Sequence, residues 1–218
     1  MENPIAEHHN TRFRLGLIIN PLAGVGGRAA LKGSDGVAKQ ALAMGVEPQA
    51  HSRVRQALES LLPLRDRIRL LAAPGVMGAD LLTDMGFDCE VVGALSCPPE
   101  TSAEDTETIA RQMSELGVDL LLFAGGDGTA RNICNQLDGR QLVLGIPAGV
   151  KIHSGVYAVN PRAAGELVAL LVQGELVRLR EADVRDIDEQ AFRNGQVRTR
   201  HYGELSVPEE GRFVQQVK

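Results

Sequence analysis

Asp127 lies within a run of small residues, Gly125-Gly126-Asp127-Gly128-Thr129, directly after the apolar stretch 118–124 (VDLLLFA). Glycines let backbone amides close on a polyphosphate, Thr129 can cap a following helix or bind a phosphate oxygen, and Asp127 can hold magnesium or accept a hydroxyl proton. Each of these is a task in phosphoryl transfer. A second loop, Asn20-Pro21-Leu22-Ala23-Gly24-Val25-Gly26-Gly27, follows the strand-like FRLGLII of 13–19 and offers the same close backbone approach. Within it Gly24-x-Gly26-x-x-Ala29 satisfies a loose dinucleotide fingerprint, but Glu47, at the ribose-binding spacing, precedes the next strand-like segment instead of ending it. No Walker A run occurs. The expected nucleotide-binding set is Asn20, Gly24, Gly26, Gly27, Gly125, Gly126, Gly128 and Thr129.

The elements that must carry these loops alternate. Strand-like runs at 13–19, 68–72, 89–95, 118–124 and 142–146 are separated by helical stretches at 34–44, 79–85, 101–116 and 130–137. A capping box is expected at Thr101-x-x-Glu104, and Asn160-Pro161 opens a helix that ends near Gly174. The continuously apolar 118–124 suits a central parallel strand buried on both faces. An α/β domain with a mainly parallel sheet flanked by helices follows, since each parallel connection must cross back over the sheet. After Gly174 the pattern changes to two strand-like runs, 176–187 and 196–207, around the tight-turn pair Asn194-Gly195. The organisation expected is thus an α/β domain over 1–175 and the start of a β-rich second domain over 176–218; two or three strands make no stable sheet alone, so this segment packs on the first domain or another subunit, or is incomplete. Its unpaired strand edges point to a homo-oligomer.

Lys151, His153 and Ser154 follow the last strand of the α/β pattern, on the same sheet edge as Asp127, so a cation and a hydroxyl there could meet phosphate or substrate. Thr106 reaches a ligand only if its helix start faces the cleft. The acidic run Asp183, Asp186, Asp188 and Glu189 reads as a solvated strand face in preference to a metal site.

Composition narrows the partners. The 218 residues carry 23 Lys plus Arg against 28 Asp plus Glu, a formal charge of -5, the wrong sign for a nucleic-acid backbone. With 3% aromatic residues and no Trp, stacking platforms for single strands are also excluded. No apolar run approaches the roughly 20 residues of a membrane span, and the polar N-terminus has no signal-peptide core, so the expected location is cytoplasmic. The three cysteines form no C-x-x-C pair.

Together, Asn20-Pro21-x-Ala23-Gly24-x-Gly26-Gly27 and Gly125-Gly126-Asp127-Gly128-Thr129 resemble the ATP-NAD kinase family, whose wider superfamily includes diacylglycerol and sphingosine kinases. The resemblance covers roughly 13–175. Three further segments, Pro74-Gly75-Val76-Met77-Gly78, Thr101-Ser102-Ala103-Glu104-Asp105-Thr106 and Pro147-Ala148-Gly149-Val150-Lys151-Ile152-His153-Ser154, are similar to the ATP-NAD kinase-like, or acetoin-catabolism-X-like, branch. The resemblance implies an NAD kinase-like N-terminal domain whose Gly-Gly-Asp-Gly-Thr loop binds nucleotide phosphates, with Asp127 as catalytic carboxylate and candidate magnesium ligand. Gly75, Gly78, Thr106, Lys151 and Ser154 become candidate substrate or phosphate contacts. The implied activity is an ATP- and Mg2+-dependent transfer of the terminal phosphate to a hydroxyl, NAD being the leading acceptor and NADP the product. A small polyol, a hydroxyketone or a lipid is the alternative acceptor, and a non-catalytic nucleotide-binding module the alternative class. Pro147 to Ser154 replaces the family's usual NAD-binding segment, and the second domain is barely begun.

Overall fold

The structure, a computed structural model, describes residues 12–25, 49–149, 152–175, 177–187 and 198–210. Five strands form one parallel sheet: β1 (Phe13–Ile19), β2 (Ile68–Ala72), β3 (Cys89–Val91), β4 (Leu120–Gly125) and β5 (Val143–Pro147), in the order β3-β2-β1-β4-β5. Strand β4 is buried along its whole length, as its unbroken apolar run requires. Leu15 of β1 is in register with Leu70 on one side and Leu120 on the other. The chain steps outward from β1 to β3 and then returns to β4 on the opposite side of β1, so the strand order reverses between β1 and β4. Crevices that hold ligands open at such a reversal, outside the carboxyl ends of the strands.

Side-chain alternation divides the core into two layers. Leu15, Leu17 and Ile19 of β1 with Leu120 and Leu122 of β4 pack against α1 (Ala50–Leu58) and α5 (Pro161–Gln173). Ile18, Leu121 and Phe123 face α3 (Ala103–Glu115) and α4 (Asp127–Cys134). A shorter helix, α2 (Ala79–Asp84), joins β2 to β3. Helix α5 starts where Asn160 Oδ1 accepts from Ala163 N (2.8 Å), with Pro161 at its first position, and stops at Gly174 with φ +76°.

Two strands, β6 (Arg178–Ile187) and β7 (Thr199–Glu209), pair antiparallel in a separate sheet and bury Ala182, Val184, Leu205 and Val207 in the layer that holds α4. Among the described residues, no helix is long and apolar enough to cross a membrane.

The structure corrects several boundaries. The capping box uses Ser102 and Asp105 instead of Thr101 and Glu104: Asp105 N donates to Ser102 Oγ (3.1 Å) and Ser102 N to Asp105 Oδ2 (2.8 Å). A tertiary contact selects this register, because Asp105 Oδ1 also accepts from Ser96 N (2.9 Å). Burial pushes the Asp105 carboxyl up, but these serine hydrogen bonds outweigh it and hold the group below its ordinary value. Helix α4 begins at Asp127, not Ala130, since the Gly126 carbonyl accepts from Thr129 N and Ala130 N. Strand β3 stops at Val91, and Gly93 turns away with φ +80°. Helix α1, whose buried Ala50, Val54, Ala57 and Leu58 follow helical spacing, and the 3-10 segment Glu59–Arg67, which contains Pro63, occupy a stretch for which no element is predicted above. The helix expected at 34–44 and the Asn194-Gly195 turn lie outside the described residues.

Candidate active site

Three loops meet at the strand-order reversal. The turn after β1 is tied to β4: Asn20 N donates to Ala124 O (2.9 Å), Asn20 Nδ2 to Thr129 Oγ1 (3.0 Å), and Asn20 Oδ1 accepts from Leu22 N (3.0 Å). The turn after β5 is tied to the same place, with Ala148 N and Gly149 N both donating to Gly125 O (2.9 and 3.0 Å). Glycine is obligatory where these turns touch. At Gly24, with φ +80°, a Cβ would stand 2.4 Å from Ala148 O; at Gly149 it would stand 2.9 Å from Gly126 Cα. At Gly125 a side chain would collide with Thr129 Oγ1 at 2.3 Å. The loops are thus shaped by one another, with glycine where they touch.

Asp127 opens α4 behind Gly126, an N-cap with no side chain to satisfy the first-turn amides. Its carboxylate is buried and accepts from His153 N (2.7 Å) and His153 Nδ1 (3.0 Å) on Oδ2, and from Ser154 N (3.0 Å) on Oδ1. The His153 ring therefore carries its proton on Nδ1 and keeps Nε2 as the second nitrogen. The His153 side chain is 35% exposed, whereas that of Asp127 is 5% exposed. Beneath the loop the fully buried Tyr157 donates its hydroxyl to Gly126 O (2.6 Å) and meets Phe123 edge-on at 5.3 Å between centroids. Burial, with the Asp127 and Asp186 carboxylates adding to it, lifts the Tyr157 phenol well above its ordinary value.

Asn20, Gly24, Gly125, Gly126, Asp127, Gly128 and Thr129 are brought together; Gly26, Gly27 and Lys151 lie outside the described residues. The Ser154 hydroxyl donates to Arg185 O (2.8 Å) and accepts from Arg185 N (3.0 Å), which joins the Asp127 turn to β6. Gly75 (φ +54°) and Gly78 (φ +159°) turn the chain after β2, and a Cβ on Gly78 would stand 3.2 Å from Leu17 O of β1. Thr106 is buried near the start of α3, its hydroxyl directed at Ser102 O (3.4 Å).

The acidic run divides. Asp186 pairs with Arg131 of α4 (2.7 Å) beside Gly128, where a Cβ would lie 3.7 Å from Asp186 Oδ2. Asp183 joins His201 and Glu204 in a group whose ligand atoms lie within 4.8 Å of one another, with Arg185 on its other oxygen (2.7 Å). Asp188 and Glu189 lie outside the described residues. Sequence reasoning missed Tyr157 and Arg131. Tyr157 has no local signal, because its place is defined by Gly145, where a Cβ would stand 2.3 Å from the ring.

The chain is similar to three solved structures from Bacillus anthracis str. Sterne. Two are provisionally named as diacylglycerol kinases: one at 18% identity and TM-score 0.40 over 82% of this chain and 47% of that one, the other at 17% and 0.43 over 83% and 47%. The third, a diacylglycerol kinase, is 17% identical with TM-score 0.37 over 81% and 43%. The chain thus spans just under half the length of these structures. No curated protein matches. The family model described as the ATP-NAD kinase N-terminal domain matches residues 15–176, which take in the parallel sheet from Leu15 onward and its three converging loops, and the chain belongs to that family.

Proposed function

We propose that this chain is the nucleotide-binding part of an ATP-dependent phosphotransferase of the ATP-NAD kinase type, which moves the terminal phosphate of ATP to a hydroxyl, with NAD the leading acceptor and NADP the product. One observation carries the reading: the turns after β1, β4 and β5 converge, glycine against glycine, on the buried Asp127. Phosphoryl transfer needs positioning and charge neutralisation more than covalent chemistry, so a cradle of amides and one acid–base pair suffice. Gly125, Gly126, Gly128 and Thr129 form the cradle and Asn20 to Gly24 close it, and Gly26 and Gly27 belong to the proposed phosphate-binding set. Gly75 and Gly78 shape the neighbouring turn, and Lys151 steadies phosphate charge.

Asp127 is the catalytic carboxylate and works with His153. The buried acid holds the more exposed imidazole by Nδ1, which leaves Nε2 to take the acceptor hydroxyl's proton as the phosphorus–oxygen bond forms. Both Asp127 oxygens already face N–H donors, an environment that does not fit a magnesium ligand. In this reading magnesium arrives on the ATP phosphates.

The test is ADP release from magnesium-ATP with NAD, then polyols and hydroxyketones, as acceptors, by the native chain and by Asp127→Asn. NADP should form, and the variant should lose about 10²–10⁴-fold in kcat. Turnover with a different hydroxyl alone would replace NAD as acceptor. ATP binding without any turnover would favour a non-catalytic nucleotide-binding module.

A further inference from the structure

The Tyr157 hydroxyl lies beneath the site and serves no purpose in the reaction described above, yet its 2.6 Å bond reaches the peptide joining Gly126 to Asp127. A trans peptide is planar, so its C=O and N–H point in opposite directions. Turning the Gly126 carbonyl down toward the phenol therefore turns the Asp127 N–H up and away from the core. The peptide before it is held separately: the Gly125 carbonyl accepts from Ala148 N and Gly149 N, and the extended backbone at Gly126 (φ -118°, ψ -170°) turns the two peptide planes away from each other. Two consecutive carbonyls are thus anchored, Gly125 O by main-chain amides alone and Gly126 O by main-chain amides together with the Tyr157 hydroxyl.

Tyr157 is well placed to set this orientation. It is fully buried, its ring fills the space that Gly145 leaves open, and Phe123 holds its edge. Its raised pKa keeps the phenol a donor across the physiological range. Helix geometry already directs the Gly126 carbonyl along α4 through Thr129 N and Ala130 N, so the phenol adds a third and lateral restraint.

We propose that Tyr157 is a positioning residue for phosphate recognition, its hydroxyl aiming the Asp127 amide at an oxyanion of a polyphosphate bound over the loop. This role rests on the nucleotide-binding reading and deepens it.

Calorimetric affinity for magnesium-ATP and for inorganic tripolyphosphate tests it on the full 218-residue chain. Tyr157→Phe keeps the ring and removes only the hydroxyl; Phe123→Leu loosens the packing and leaves the hydroxyl in place. Tyr157→Phe should stay folded by circular dichroism and bind both ligands at least fivefold more weakly, with KM for ATP rising more than kcat falls. Phe123→Leu should lower the melting temperature and bind within twofold of the native chain. Native-like affinity in Tyr157→Phe overturns the proposal, as does an equal loss in Phe123→Leu, which would reduce Tyr157 to packing. If Tyr157→Phe does not fold, Tyr157→Leu, a second hydroxyl-free side chain, is measured against the same criteria. A native chain that binds neither ligand overturns the nucleotide reading itself and the positioning role with it, a result distinct from a selective effect of the hydroxyl.

Discussion

The carboxyl edge of the parallel sheet and the outer face of the β6–β7 hairpin hold polar residues by opposite means. At the sheet edge Asp127, Gly125 and Gly126 are bonded largely by main-chain amides, and the loops touch at glycines whose Cβ would collide with backbone. On the hairpin Asp183, Arg185, His201 and Glu204 face one another through side chains with solvent access. Backbone cannot move without moving a strand, whereas exposed side chains rotate at little cost. The region proposed for chemistry is therefore over-determined, and the hairpin face is adjustable.

Substitutions should grade along that contrast. Gly24→Ala combines φ +80° with a contact of 2.4 Å to Ala148 O, so it should cost about 3 kcal/mol and move two loops at once. Chemical denaturation would show this as a lower midpoint at unchanged slope; a loss under about 1 kcal/mol would mean that the loop junction is looser than its geometry. Next, Arg131→Met removes the cation from Asp186 where the two side chains are 21% and 16% exposed. Its expected cost, about 1–2 kcal/mol, lies between those of surface and buried pairs and is measurable by the same titration.

Asp105 gives a pH-dependent contrast. Because its folded pKa is depressed, its contribution is present above the unfolded value near 3.8 and is lost as pH falls through the lower folded value. Melting curves of the native chain and Asp105→Asn should differ most at neutral pH and converge below about pH 4; a constant gap would remove the carboxylate from the explanation. The smallest effect belongs to the hairpin. Arg185→Gln breaks an ion pair with Asp183 whose side chains are 39% and 29% exposed, and should change stability by less than about 1 kcal/mol at any salt concentration. A larger loss would place that face among the constrained regions.

Local residue chemistry already contained the parallel strands, the Asn160-Pro161 helix start, the Gly174 stop and the two glycine loops, because each is written in neighbouring residues: an apolar run, a cap, a flexible turn. The site-loop members Asn20 and Thr129 were legible for the same reason. Other features depended on contacts that residue type and spacing do not announce. The shift of the capping box from Thr101 to Ser102 came from Ser96, the start of α4 at Asp127 from the Gly126 carbonyl, and the place of Tyr157 from Gly145.

By itself the sequence determined which backbone segments could be strands and which turns could bend close to a phosphate, since φ freedom and apolar periodicity are properties of short stretches. Only the tertiary structure decided that the turns after β1, β4 and β5 meet at one reversal of strand order, that Asp127 is enclosed by His153 and Ser154, and that Tyr157 holds the peptide above it. Those are contacts between residues more than 25 positions apart, or between strands out of chain order, and packing of the whole sheet is what brings them within hydrogen-bonding distance.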